Sequence, residues 1–351
     1  MIGIWPIKSD FATELDSSPN HLFHPETLTE RTMHDERYAT TSRLVKNKPA
    51  YFESPVYGLT TWLKAPDNDE KIAEGGLRLK GFFKESSNIK PLITVITVVY
   101  NGAEFLEDTI KSVIGQTYDN VEYIVIDGGS KDGTLEVIQK YEHAIDYWVS
   151  EPDKGIYDAM NKGISLASLY SWLLFVGADD IVIELDSIAS SVVNDDSTGF
   201  IVANVSQKVV GRSKLIDYKC WLPDMKYVER EFLRFPLHHQ GFLFKKFRKN
   251  MFFRGENGIH SDYDQMLRVL KCFKGKYLDK VVACYRTGGA SDRFGIENIV
   301  SFTRVARSNN ISIFRAVKNN KLVVFKLIVK ALVPYSFILK FRAVGGLFVS
   351  R

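Results

Sequence analysis

From Leu92 to Tyr100 the chain reads LITVITVVY, a nearly unbroken run of β-branched and apolar residues. Such a run predicts a strand buried on both faces. Asn101-Gly102 ends it. Phe105, Leu106, Ile110, Val113 and Ile114 then recur at helical spacing, with Glu104, Glu107 and Lys111 between them. A second strand follows at Val121–Ile126 and closes on Asp127-Gly128-Gly129-Ser130. Asp132 is placed to cap a helix carrying Leu135, Ile138 and Tyr141. Ile145–Val149 predicts a third strand, Gly155–Ala167 a third helix and Trp172–Val176 a fourth strand.

Strand and helix thus alternate through short links. Apolar strands in that order predict an α/β fold with a mostly parallel central sheet and right-handed crossovers. In such sheets ligands sit beyond the carboxyl ends of the strands. Three of those ends carry Tyr100-Asn101, Asp127-Gly128-Gly129-Ser130 and Gly177-Ala178-Asp179-Asp180, so three polar clusters are expected along one edge.

Outside this stretch the pattern is weaker. Residues 1–90 are polar and mixed and read as an N-terminal extension with short elements. Within it, Glu74–Gly81 reads as a turn leading into the main domain, taken as 91–300. Residues 301–351 are basic and apolar. Lysines and arginines alternate with Ile311, Phe314, Val317 and the 322–332 run, and no acidic residue follows Glu297. That pattern predicts a basic amphipathic helix near Lys318–Leu332, suited to an anionic membrane surface or to packing on the domain.

Composition narrows the classes. The net charge of +4 is too mild to indicate nucleic acid. Three widely spaced cysteines argue against a disulfide framework, against structural zinc and for a reducing compartment. No signal peptide or membrane-spanning run is read, and the expected location is cytoplasmic.

Several residues are candidates for chemistry. Asp179-Asp180, adjacent carboxylates after a buried strand, suit Mg²⁺ or Mn²⁺ holding a diphosphate; a solvated helix-capping loop is the other reading. Asp127 with Gly128 suits a ligand the backbone approaches closely, or a simple turn. Tyr100 is placed to stack on a base. Asp262, before a predicted helix, is either a cap or a general base, with His239 lining the same pocket. Lys154 precedes a helix bearing Asp158 and Asn161 on one face, which suits a phosphate or an ordinary amphipathic helix. Neither a GxSxG elbow nor a P-loop occurs.

Together, Val95–Thr134, EPDKGIYDAMNKGI at Glu151–Ile164 and LLFVGADD at Leu173–Asp180 resemble the family 2 glycosyltransferases. HHQGFLF, SDYDQMLRVL and RTGGAS resemble further blocks of a subgroup that builds bacterial O-antigen and other surface polysaccharides. The resemblance implies a Rossmann-like GT-A domain that uses a nucleotide-diphosphate sugar, most simply a UDP-hexose, with Mn²⁺ or Mg²⁺. It implies that Tyr100 stacks on the base, with Asn101 and Gly128 beside it, and that Asp127 holds the uracil or ribose. The metal motif falls on Gly177-Ala178-Asp179, so its first acid is missing; Asp179 is the better ligand and Asp180 the second. Asp262 falls at the catalytic aspartate of an inverting displacement. Met160 stands where the family often has arginine before Asn161, and Lys154 compensates. The implied acceptor is a saccharide or a lipid-linked sugar at the cytoplasmic face of the membrane, reached by peripheral contact through the tail. A sugar nucleotidyltransferase and a non-catalytic nucleotide-sugar-binding scaffold are the competing classes. The first would want a basic glycine-rich loop where Tyr100–Glu104 stands.

Overall fold

A computed structural model describes residues 38–53, 60–208, 215–233, 236–246, 251–287 and 296–319. Among the described residues ten strands join in one sheet. Its centre is β2 (Ile93–Val99), β3 (Val121–Asp127), β4 (Tyr147–Ser150) and β5 (Trp172–Gly177), in the order β4-β3-β2-β5 and all parallel. Helices α1 (Ala103–Ile114), α2 (Thr134–Lys140) and α3 (Ile156–Leu166) make the crossovers.

The unbroken apolar strands divide their side chains between two cores. Ile93, Val95 and Val99 of β2 meet Leu106, Ile110 and Val113 of α1. Ile96 and Val98 meet Ala159 and Ile164 of α3 on the other face. The two-residue period of a strand requires this alternation, and cover on both faces is why no position can be polar without a partner. Gly163 allows the closest approach. A Cβ there would stand 2.5 Å from Ile96 Cγ2, so α3 lies nearly on the backbone of β2.

Beyond β5 the sheet continues through β6 (Ile181–Val182), β7 (Thr198–Lys208), β8 (Leu215–Tyr218), β9 (Phe242–Lys245) and β10 (Lys274–Arg286). β9 is antiparallel to both β5 and β7, whereas β10 runs parallel to β7. The helices on this side are α4 (Asp186–Val192), α5 (Met225–Arg230), α6 (Ser261–Cys272), α7 (Ile296–Ser308) and α8 (Ile313–Asn319). Val305, Ala306 and Ile311 pack with Tyr263 and Leu267 of α6 in a third apolar cluster.

The sheet also extends upstream of Pro91. Ala73–Gly75, read from the sequence as part of a turn, is β1, the edge strand antiparallel to β4. Arg78 just beyond it is buried and ion-paired to Glu122 at 2.7 Å. Burial alone would push the Glu122 carboxyl up. Arg78, Ser168 and Thr94 together hold it below its ordinary range.

Asp132 does not cap α2. The cap position falls to Gly133, whose φ of +95° a glycine accepts without strain. Asp132 instead accepts from the backbone N–H groups of Thr134 and Ala103, both at 3.1 Å, and ties the starts of α2 and α1 together. Of residues 301–351, only the end of α7, α8 and the link between them lie among the described residues, and Phe314 there is 80% exposed. The rest of the Lys318–Leu332 helix lies outside them. Among the described residues no helix is long and apolar enough to cross a membrane.

Candidate active site

Register brings the polar strand ends level. Val99 pairs with Asp127, Asp127 with Ser150, and Val98 with Gly177. The segments that leave these positions therefore face one another across the carboxyl edge of the sheet.

Asp127, expected to hold the base or ribose, is fully buried. Its oxygens accept from Ser150 Oγ at 2.6 Å, from the Ser130 N–H at 3.1 Å and from the Ser130 hydroxyl. Those bonds fix the 127–130 loop, so Asp127 shapes the site from beneath. Asn101, in a left-handed conformation at φ +51°, completes the same scaffold. Its N–H donates to Ser130 Oγ at 2.7 Å, and its Oδ1 accepts from Lys131 N–H at 2.9 Å.

The surface above this scaffold is formed by Tyr100, Gly128 and Asp153. Tyr100 is 65% exposed at the end of β2. A Cβ on Gly128 would stand 2.5 Å from Asp153 Oδ2 and 3.4 Å from the Tyr100 ring. The missing side chain at 128 is thus replaced in space by the Asp153 carboxylate from the next loop. Asp153 Oδ1 accepts from the Gly155 N–H at 2.7 Å, which orients the side chain.

At the end of β5, Asp179 and Asp180 differ. Asp180 is buried, and its oxygens accept from the Gly177 N–H, the Gln240 Nε2 and the Arg286 N–H at 3.1, 2.7 and 3.1 Å. Burial first, then the charge of Asp179, pushes its carboxyl up to about 6. A carboxylate so committed also holds the turn that carries Asp179. Asp179 is partly exposed and, among the described residues, accepts no hydrogen bond. No cluster of three or more acidic, His or Cys side chains that could hold a metal occurs among the described residues. The donor set still fits a Mg²⁺- or Mn²⁺-type ion that takes one carboxylate from the protein and its other oxygens from a diphosphate and water.

The His238-His239-Gln240 segment links this turn to the rest of the site. Gln240 reaches Asp180, while the His239 ring packs on Phe175 and Phe253 at 5.4 and 5.8 Å. Burial pulls the His239 imidazole down to about 4, so the ring is neutral at pH 7. Its Nε2 is buried without a partner among the described residues.

Asp262 lies in the first turn of α6, after the cap position held by His260. Its Oδ1 accepts from the Tyr263 N–H at 2.8 Å and lies 3.3 Å from the Tyr157 hydroxyl, which donates to Ile259 O at 2.7 Å. Burial raises the Asp262 carboxyl above its ordinary value; the nearby His260 opposes that shift. The ring sequence His239–Phe253–Tyr157 connects Asp262 to the sheet edge.

Two residues of α3 serve other ends. Asn161, expected on the ligand, exchanges both amide bonds with the Phe253 backbone at 2.8 and 2.9 Å, clamping the 251–253 segment. Asp158 Oδ2 accepts from the Lys154 N–H at 3.1 Å and caps the entry to the helix. Lys154 itself is exposed beside Asp153. Sequence reasoning did not single out Asp153, Tyr157, Gln240 or Arg286 as site residues. Arg286 lies with its guanidinium 4.6 Å over Phe105, and its buried Nε has no partner among the described residues. Their signal was membership of the motif blocks, but their roles depend on neighbours far along the chain.

An open edge of a parallel sheet, with an exposed aromatic, a free carboxylate and a half-buried acid, is a place where an α/β domain takes its ligand. Residues 94–253 match the family described as Glycosyl transferase family 2. An uncharacterized glycosyltransferase of Mycobacterium tuberculosis is 38% identical over 117 residues, 31% of this chain and 45% of that protein. A PGL/p-HBAD biosynthesis glycosyltransferase of Mycobacterium bovis is 38% identical over 104 residues, 28% of this chain and 40% of that protein. The chain spans less than half the length of these curated relatives. Among solved structures, TarS 1-349 of S. aureus in complex with UDP-GlcNAc is loosely similar, with a TM-score of 0.47 and 15% identity over 62% of this chain and 65% of that chain.

Proposed function

We propose that this protein is an inverting glycosyltransferase that moves a sugar from a nucleotide diphosphate, most simply UDP-hexose, to a hydroxyl of a saccharide or lipid-linked acceptor in surface polysaccharide assembly. The observation that carries the reading is the presence of both Asp179, which has free oxygens at the sheet edge, and Asp262, a half-buried acid held beside Tyr157. One acid suits the diphosphate end and the other the acceptor hydroxyl.

In this reading the base stacks on Tyr100, and Asp153 accepts a hydrogen bond from the base or ribose at the space left by Gly128. Lys154 and Arg286 supply cations to the diphosphate. Asp179 would hold a divalent ion bound with the donor, and that ion would supply charge neutralisation to the departing diphosphate. Asp262 takes the proton of the acceptor hydroxyl as its oxygen bonds to the anomeric carbon. The bond from that carbon to the phosphate oxygen breaks, and its electron pair leaves with the nucleoside diphosphate. The raised pKa of Asp262 makes it a stronger base than an exposed aspartate.

The test is release of nucleoside diphosphate from a panel of UDP-, GDP- and dTDP-sugars, with water as the slow default acceptor. The expected result is Mn²⁺- or Mg²⁺-dependent release from one nucleotide class, reduced about 10²–10⁴-fold in Asp262→Asn. Release that is unchanged in Asp262→Asn would remove Asp262 from the catalytic role, and no release from any donor that binds would favour the scaffold reading.

A further inference from the structure

Ile72 is 55% exposed at the carboxyl edge of the sheet, although the backbone around it is anchored. Its N–H donates to Ser150 O at 2.8 Å, at the end of β4, and the next residue, Ala73, begins β1. Upstream, Asn68 donates to the buried Glu151 carboxylate at 2.7 Å, and Glu151 is ion-paired to Lys162 of α3 at 2.7 Å. Lys71 turns its ammonium back onto Ala65 O and Asp67 Oδ1, at 2.9 and 3.0 Å. The chain at residue 72 is therefore tied to the end of β4 while the side chain stays in solvent. Single exposed apolar side chains are ordinary. What distinguishes Ile72 is the company it keeps.

Its neighbours are those of the candidate base site. A Cβ on Gly129 would stand 3.6 Å from Ile72 Cδ1 and 3.3 Å from Pro152 N, and one on Gly128 would stand 2.5 Å from Asp153 Oδ2 and 3.4 Å from the Tyr100 ring. Gly128 and Gly129 are themselves buried, so these four residues close over the glycine pair. Strand alternation agrees. Ala73 packs with the core on the α1 side, so Ile72 turns to the α3 side, where the loop carrying Pro152 and Asp153 enters α3. Above the glycine pair, Tyr100 and Asp153 stand over residue 128, and Pro152 and Ile72 over residue 129.

This surface sets one acceptor among flat and branched apolar groups. The Gly155 N–H uses Asp153 Oδ1, and Oδ2 is directed to the space above Gly128. A flat heterocycle bearing an N–H group fits: the N–H donates to Oδ2, the ring lies on Tyr100, and a carbon edge reaches Ile72. A phosphate is repelled by the Asp153 carboxylate, and Lys71, next to Ile72, spends its ammonium on Ala65 and Asp67.

We infer that Ile72 belongs to the donor site and contacts the nucleobase, as the apolar edge of the surface that begins at Tyr100. The inference rests on the transferase reading above and deepens it. Ile72 lies upstream of the residues 94–253 that match the family, so the segment before Pro91 supplies a base contact of this chain's own.

The test uses the full chain. Calorimetry first finds which of UDP, GDP and dTDP binds best with Mg²⁺. Methyl NMR of protein labelled at the isoleucine δ1 carbons is then recorded with that nucleotide, and the Ile72 signal is assigned by its loss in Ile72→Val. The expected result is an intermolecular NOE from the Ile72 δ1 methyl to a carbon-bound proton of the base. Affinity should fall about fivefold in Ile72→Ala, from lost methylene contact, with the melting temperature unmoved because the side chain is exposed. Ile72→Val should retain most of the affinity. Ile89→Ala, which removes a 73% exposed isoleucine ahead of β2, should change nothing. Nucleotide binding without that NOE, or unchanged in Ile72→Ala, overturns the base contact and leaves the donor reading intact. No binding of any of the three nucleotides overturns the inference together with the donor reading.

Discussion

At the scale of residues, function turns on which carboxylates are spent and which are free. Asp127 and Asp180 are spent on hydrogen bonds within the protein; Asp179 is not. Asp262 is partly spent and is held at a raised pKa by burial. A raised folded-state pKa means the native protein binds that proton more readily than the unfolded chain. The stabilising contribution of protonated Asp262 is therefore full at low pH and lost as pH rises through the folded pKa. Asp262→Asn should keep or raise the melting temperature at pH 7 while transfer collapses, and the wild-type rate should fall off on the acid side above the ordinary carboxylate range. Thermal melts and a pH–rate profile check both. Gly128→Ala would press a methyl group into Asp153 Oδ2 at 2.5 Å. Donor affinity should drop about tenfold with little change in stability, as measured by calorimetry with UDP.

At the scale of elements, much was legible because strands buried on both faces leave a strong apolar signature. Leu92–Tyr100 and Trp172–Val176 announced β2 and β5 to within a residue or two, and with them the edge on which ligands sit. What sequence could not show was the use of each polar side chain. The partner of Asn161 is Phe253, 92 residues on, and nothing local distinguishes an amide that clamps a backbone from one that meets a ligand. The β1 strand was missed because three residues are too few for a period to show. Its neighbour Arg78 matters more than its polar setting suggests. Arg78→Ala would leave Glu122 charged, buried and unpaired. It should cost about 3–5 kcal/mol in denaturant unfolding, whereas replacement of an exposed pair such as Lys80–Glu142 should cost under about 1 kcal/mol.

At the scale of the whole molecule, the two ends of the central strands do different work. Around the amino ends, Arg78, Glu122, Thr94 and Ser168 form a closed buried network that locks the upstream segment to the sheet. Around the carboxyl ends, Asp179, Tyr100 and Asp153 are left with exposed surface or unused oxygens. In the proposed reading the site offers one free carboxylate and is completed by its ligand, so metal and nucleotide should bind as a unit. The most direct measurement is calorimetric titration of UDP into the protein with Mn²⁺, with EDTA, and into Asp179→Ala with Mn²⁺. UDP binding with Mn²⁺ should be at least about tenfold tighter than with EDTA, Mn²⁺ alone should bind weakly, and Asp179→Ala should erase the difference. Equal UDP affinity in all three titrations, or no UDP binding in any, would contradict a donor site built on Asp179.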